Sequence, residues 1–182
     1  MRYIPETSPI DLDTFSDVIE NAFLEKNAQQ SENLELRFEP GKFLVSESTV
    51  LLTRITNIRE INNRKFVGVD SGFNHLIRPA FYKAFHQIIS LSKKDSPLED
   101  VTVVGNICES CDEFAESVRL GEPEEGDILA IVSTGAYGAS MSSVYNLRPY
   151  AAEVLFDGEK AWLTRKRFDF NTLKDSLGFC NP

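Results

Sequence analysis

The chain has no apolar run near the roughly 20 residues that a membrane-spanning helix requires. Its first residues, Met1-Arg-Tyr-Ile-Pro-Glu, also lack the basic-then-apolar pattern of a secretory signal. Neither a membrane span nor export is expected. Basic residues are scarce too: 19 Lys and Arg stand against 28 Asp and Glu, a net charge of −9. Nucleic acids and anionic lipid surfaces select basic faces, so neither is an expected partner. There are three cysteines and two histidines. So few thiols, and an odd number, do not build a disulfide framework and suit the reducing cytoplasm. Internal repeats and low-complexity tracts are missing as well.

What is present is a normal apolar share, 42% of 182 residues, enough for one ordinary domain or one domain with part of another. Residues 1–10 hold two prolines and no periodicity, and read as a loop. From Asp11 to about Leu24 the apolar residues Leu12, Phe15, Val18, Ile19, Ala22 and Phe23 fall on one helical face. Ser8-Pro9-Ile10-Asp11 supplies a cap and a first-turn proline. After a polar loop over Lys26–Asn33, Leu34-Glu-Leu-Arg-Phe38 alternates like a short strand and runs into Glu39-Pro40-Gly41-Lys42.

Beyond that point the pattern is β. Strands are predicted over Val50–Ile58, Lys65–Val69, Gln87–Leu91, Val101–Val104 and Ile128–Val132. Two more, Ala151–Phe156 and Lys160–Arg165, flank Asp157-Gly158, a pair that tolerates the positive φ of a hairpin. A last helix is predicted over Phe170–Leu177, with Asp169 as cap, Gly178 as stop, and Phe170, Leu173 and Leu177 facing inward. Many short strands point to a β-barrel or sandwich. The opening helix and strand form a single α/β unit, which cannot bury itself. It either packs on the β domain or belongs to a larger α/β protein.

Five stretches carry chemistry. Gly105-Asn-Ile-Cys108-Glu109-Ser-Cys111-Asp112 sets a thiol beside a carboxylate after an apolar strand. A thiol can donate a proton or attack, and the carboxylate can hold an amine. Cys108-x-x-Cys111 can also be redox active, can be half a zinc site, or can be two buried structural cysteines. Zinc would need further ligands from Cys180, His75 and His86, none of them in paired spacing. Glu39-Pro40-Gly41-Lys42 offers a cation and a closely approachable backbone, or simply a turn. Arg78 and Tyr82 stand four apart, so a helical turn would let them clamp a carboxylate together; the plainer reading is a solvated Arg and a half-buried Tyr. Gly135-Ala-Tyr137-Gly138 is a small, flexible loop around one aromatic, without hydrolase-elbow spacing. Tyr145-Asn-Leu-Arg148-Pro149 is structural or an interface patch, and His75 and His86 read as structural.

In this order and combination the motifs are more specific than any is alone. Glu39-Pro-Gly-Lys42, Asp70-Ser-Gly through Arg78-Pro-Ala-Phe-Tyr82, Cys108-Glu109-Ser, Gly135-Ala-Tyr137-Gly and Ser142-Ser-x-Tyr145-Asn-x-Arg148-Pro together resemble the C-terminal part of the diaminopimelate decarboxylase family. That family makes lysine from meso-diaminopimelate with pyridoxal 5′-phosphate, on a (β/α)8 barrel joined to a β domain. The resemblance implies a mainly β chain with some α: residues 1–45 as the last αβ unit of the barrel, residues 46–182 as a Greek-key-like β-barrel or sandwich domain. It implies that Glu39, Pro40, Gly41 and Lys42 sit at the cofactor phosphate and that Lys42 also touches substrate. Arg78 and Tyr82 would hold the distal carboxylate, Glu109 the distal amine, and Tyr137 both substrate and cofactor. Cys108 would protonate the substrate α-carbon after CO2 leaves. No metal is implied. Cys108 and Glu109 would complete the partner's site in a cytoplasmic homodimer.

Three positions depart from the family pattern. Lys42 stands where arginine is usual, losing a bidentate fork; Cys111 replaces a glycine and Asn106 a proline. The family's cofactor-binding lysine, barrel histidine and glycine-rich phosphate loop lie upstream of anything that matches Met1. The resemblance therefore implies a family member cut after that loop, and a chain that alone does not decarboxylate. The alternatives are a non-catalytic dimerisation or binding module, or a related decarboxylase acting on ornithine, lysine or arginine.

Overall fold

The computed structural model describes residues 10–29, 34–92 and 97–178. The loop expected over residues 1–10, apart from Ile10, and Cys180 lie outside them. The first helix, α1 (Leu12–Ala28), begins where the Asp11 carboxylate accepts the N–H groups of Asp13 and Thr14, and it runs four residues past Leu24. Asp11 is the cap, while Ser8 and Pro9 lie outside the described residues. None of its residues is buried, and the predicted apolar stripe of Leu12, Phe15 and Val18 faces outward.

The strand predicted over Leu34–Phe38 is not formed. A strand exists only through a neighbour's N–H and C=O groups, and no described strand pairs with this segment. It leads instead into a short helix, α2 (Gly41–Val45), and a 3₁₀ turn at Ser46–Ser48.

The β region is one six-stranded sheet and a separate hairpin. The sheet comprises β1 (Leu51–Ile61), β2 (Arg64–Val69), β3 (Ile88–Ser90), β4 (Leu98–Val104), β5 (Glu113–Gly121) and β6 (Ile128–Ile131), in the order β3-β6-β1-β2-β4-β5. All pairings are antiparallel except β2 with β4, which is parallel. β1 bends in the middle: Leu51–Arg54 pair with β6, and Ile55 onward pairs with β2 across an irregularity at Ile55/Asn57. Gly68 lies opposite that bend, where a Cβ would stand 2.1 Å from the Asn57 amide oxygen. The edge strands β3 and β5 return into contact, so the sheet is a nearly closed barrel. Its interior is aliphatic, with Ile55, Val67, Val69, Val103, Leu129 and Ile131 essentially inaccessible. The expected mainly β, barrel-like class is the class observed.

The hairpin pairs β7 (Glu153–Phe156) with β8 (Ala161–Arg165) around Asp157-Gly158, with Gly158 at positive φ as read. Asp157 accepts the N–H groups of Glu159 and Lys160 to close the turn. The last helix, α4 (Phe170–Ser176), is capped by Asp169 as read. It buries Leu173 alone; Phe170 and Leu177, predicted inward, are exposed.

β5 has no counterpart among the predicted strands. Two residues of β4 (Val101, Val103) span the same length as three steps of β5 (Val118, Ala115), and Ser117 sits at φ 51° in the excess. This bulge breaks the period of two that makes a strand legible.

Candidate functional site

Two clusters of polar side chains lie at loops that leave the barrel. The first is built on the segment after β2. Asp70 accepts the Thr53 hydroxyl at 2.7 Å and the Arg54 N–H at 2.8 Å, which fastens the end of β2 to β1. The chain then turns into a single helical turn, α3 (Arg78–Tyr82), with Pro79 in its first turn. The spacing of four works as read: the Arg78 guanidinium carbon lies 5.7 Å from the centre of the Tyr82 ring.

Tyr137 closes the other side, 5.7 Å from the same carbon. It stands at φ 65° in the loop after β6, where glycines let backbones touch. A Cβ on Gly135 would lie 1.9 Å from the Val45 carbonyl, and one on Gly138 would lie 2.3 Å from the Thr134 carbonyl. The Gly135 N–H donates to the Ser46 carbonyl, so the Tyr137 loop is tied to the residues that follow Lys42.

Arg78 is 7% exposed, and its Nε–H finds no partner among the described residues. The carboxamide of Asn74, one helical turn earlier and fully buried, has none either. Buried polar groups without partners cost stability, so these are groups that a bound anionic or polar molecule could satisfy. The His86 Nδ1–H donates to the Val132 carbonyl at 3.0 Å. Burial holds its imidazole below the ordinary range, and the positive fields of Arg78 and Lys42 push the same way. Lys42, Arg78, Tyr82 and Tyr137 thus share one positively charged, aromatic neighbourhood.

Glu39, Pro40, Gly41 and Lys42 are all exposed. Nothing lies within 4 Å of where a Gly41 Cβ would stand, so its backbone can be approached closely. Its N–H, however, donates to the Glu39 carbonyl at 2.9 Å. The segment therefore offers an open backbone and the Lys42 cation rather than the Gly41 amide.

The second cluster is the loop after β4. Asp112 is buried and folds it: its carboxylate accepts the N–H of Ile107 from the same loop and the N–H of Phe73 from the segment after β2, each at 2.7 Å. Burial pushes the Asp112 carboxyl above its ordinary value, against the pull of these two donors. The Asn106 N–H adds a bond to the Ser71 carbonyl. Cys108, Glu109 and Cys111 are left on the exposed tip. Two buried structural cysteines, one of the readings of the spacing, are therefore excluded.

Glu109 is not alone. The Tyr145 hydroxyl donates to its Oε1 at 2.5 Å, and the Tyr145 ring rests on Phe73 with centroids 5.1 Å apart. The hydrogen bond and the charge of Glu109 raise the phenol above its ordinary value. Sequence reasoning left both Tyr145 and Asp112 out of the site. Tyr145 sat in a quoted motif, but no spacing rule links it to a carboxylate 36 positions away. The segment between β2 and α3 is tied to the Cys108 loop through Phe73 with Asp112 and Ser71 with Asn106, so both clusters rest on one frame. A cavity of about 410 Å3 between barrel and hairpin, lined by residues such as His75, Thr134, Ser142 and Arg165, includes none of the predicted site residues.

A family model described as "Pyridoxal-dependent decarboxylase, C-terminal sheet domain" matches residues 42–135, just over half of the chain. The chain belongs to this family. The diaminopimelate decarboxylase of Methanothermobacter thermautotrophicus is 44% identical over 94% of this chain and 40% of its own length. A crystal structure of diaminopimelate decarboxylase from M. jannaschii in co-complex with L-lysine superposes with a TM-score of 0.88 at 34% identity, over 99% of this chain and 41% of that one. Lysine/ornithine decarboxylase from Vibrio vulnificus, complexed with cadaverine, reaches a TM-score of 0.66 at 20% identity, over 78% of this chain and 37% of that one, and shares the fold alone. The chain spans about 40% of the length of such relatives.

Proposed function

We propose that this chain is the C-terminal sheet domain of a pyridoxal phosphate enzyme that decarboxylates meso-diaminopimelate to L-lysine in the cytoplasm. The observation that carries the reading is the buried Arg78 guanidinium, held between Tyr82 and Tyr137 with an unpartnered Nε–H. Such a group asks for a planar anion, and a substrate with a second carboxylate supplies one. The chain's family and its diaminopimelate decarboxylase relatives support the same substrate class.

In this proposal Arg78 grips the distal carboxylate through its fork and Tyr82 adds its hydroxyl. Glu109 receives the distal ammonium. Tyr137 covers the reacting end, and Lys42, on the open Glu39-Pro40-Gly41 turn, holds the cofactor phosphate and the substrate by charge. When bound, pyridoxal phosphate supplies the sink for the electron pair left behind as CO2 departs. Cys108 holds on Sγ the proton that replaces the lost carboxylate at the α-carbon. Tyr137 narrows access of water to that carbon.

In this proposal the enzyme is a homodimer in which Cys108 and Glu109, on an exposed loop tip, serve the partner's site. In this proposal residues 1–45 are part of a barrel and 46–182 the β domain; α1, with an exposed apolar stripe and no buried residue, supports that division. In this proposal the cofactor's anchoring lysine is not among the residues of the sheet domain, so the chain alone is expected not to release CO2 from diaminopimelate.

The test is Arg78→Lys in the complete, cofactor-loaded enzyme. Charge is kept and the fork is lost, which should lower kcat/KM for diaminopimelate on the order of thirtyfold or more. A substrate without the distal carboxylate should be turned over with little change. Equal loss for both substrates would remove Arg78 from the distal site.

A further inference from the structure

We propose that Tyr145 is a positioning residue for the ammonium end of the substrate: by donating its hydroxyl proton to Glu109 it fixes the carboxylate that receives the distal amine. This rests on the reading of Glu109 given above. Glu109 lies on an exposed loop tip, where a glutamate side chain ordinarily samples many rotamers. Here one carboxylate oxygen is taken by the Tyr145 Oη at 2.5 Å, in the range of a charge-assisted bond.

Tyr145 is itself held from two sides. Its ring lies against Phe73, whose N–H donates to Asp112, the residue that folds the Cys108 loop. Its chain continues through Asn146 and Leu147, both at positive φ, to Arg148, whose Nη2 donates to the Asn106 carbonyl in the same loop. Tyrosine, loop and carboxylate therefore form one closed ring of contacts. A plain surface tyrosine has no need of one.

The chemistry suits an ammonium group. A phenol has one proton and two lone pairs; once the proton goes to Oε1, Oε2 and the phenol oxygen remain as acceptors. A primary ammonium brings three N–H donors. Fixing the carboxylate before binding removes an ordering cost that the ligand would otherwise meet. Because Tyr145 acts on substrate binding and not on the proton of Cys108, its loss should appear in KM.

Two experiments test this. In this chain, Glu109→Gln should lower the titration midpoint of the Tyr145 phenol, followed by NMR; an unchanged midpoint would show that the bond is not made in solution and would overturn the proposal. In the complete, cofactor-loaded enzyme, Tyr145→Phe keeps the ring on Phe73 and removes only the hydroxyl. It should raise KM for diaminopimelate about tenfold with kcat within about threefold, leave the analogue lacking the distal amino group unaffected, and add nothing in a Glu109→Gln background. Equal losses for both substrates, or an additive loss in the Gln background, would make Tyr145 merely structural. If Tyr145→Phe is silent while Glu109→Gln is not, the role of Glu109 stands and this proposal falls. If Glu109→Gln is silent too, both fall.

Discussion

The main-chain N–H of Gly105 donates to the Asp112 carbonyl at 2.8 Å, and the Asp112 carboxylate occupies the space where a side chain on Gly105 would begin. A Cβ there would lie 2.2 Å from Oδ2. Gly105→Ala must therefore expel the carboxylate from between the N–H groups of Phe73 and Ile107. Losing those bonds in a buried place costs on the order of 2–4 kcal/mol. Chemical denaturation of the variant should show that loss, with faster hydrogen exchange at Phe73 and Ile107. Unchanged stability would mean that Asp112 does not hold the loop.

The two histidines make stability depend on pH in one direction. Burial sets the imidazoles of His75 and His86 below their ordinary 6.5 in the fold. On acidification the unfolded chain takes up these protons first. Their contribution is present above about pH 6.5 and is lost as pH falls below it. Asp112, raised by burial, acts oppositely, favouring the fold less as pH rises above its ordinary 3.8. NMR titration should place both histidine midpoints below 6.5, with thermal stability declining from there toward pH 5. A midpoint at or above 6.5 for either ring would contradict this.

The α1 face predicts behaviour in solution. Leu12, Phe15 and Val18 are each more than half exposed on one face, an apolar stripe of a kind that rarely stays uncovered. Sedimentation of this chain over a range of concentrations should show self-association, and Phe15→Lys with Val18→Lys should weaken it at least severalfold. A strict monomer throughout would count against the stripe as a sticky surface.

The strands of the barrel were legible where one face meets the interior and the other meets water, as in the first half of β1. The short helices α2 and α3 were not, since one turn is too brief for a helical period to show. β5 and the segment Leu34–Phe38 were misread for separate reasons. β5 hides behind the extra residue near Ser117, which shifts its inward side chains off a period of two. Leu34–Phe38 has the alternation of a strand, yet alternation says which face would be buried and not whether a neighbour is there to pair with. The site divided in the same way. Local pairs such as Arg78 and Tyr82 could be read, because a helical turn fixes their distance. The contact of Tyr145 with Glu109 and the bond of Asp112 to Phe73 join loops far apart in the chain, and only the closed barrel brings them together.

The parallel pairing of β2 with β4 has a mechanical consequence. Strands that run the same way end on the same rim, so the segment leading to Arg78 and the loop carrying Cys108 emerge side by side from adjacent staves, at Val69 and Val104. One carboxylate can then act as a common footing for both. An antiparallel neighbour would have sent them to opposite rims, beyond the reach of Asp112. Loosening either stave should therefore tilt the anion-binding arginine and the thiol together, so that damage at a buried valine such as Val67 or Val103 would be felt at both of the proposed sites that one chain serves.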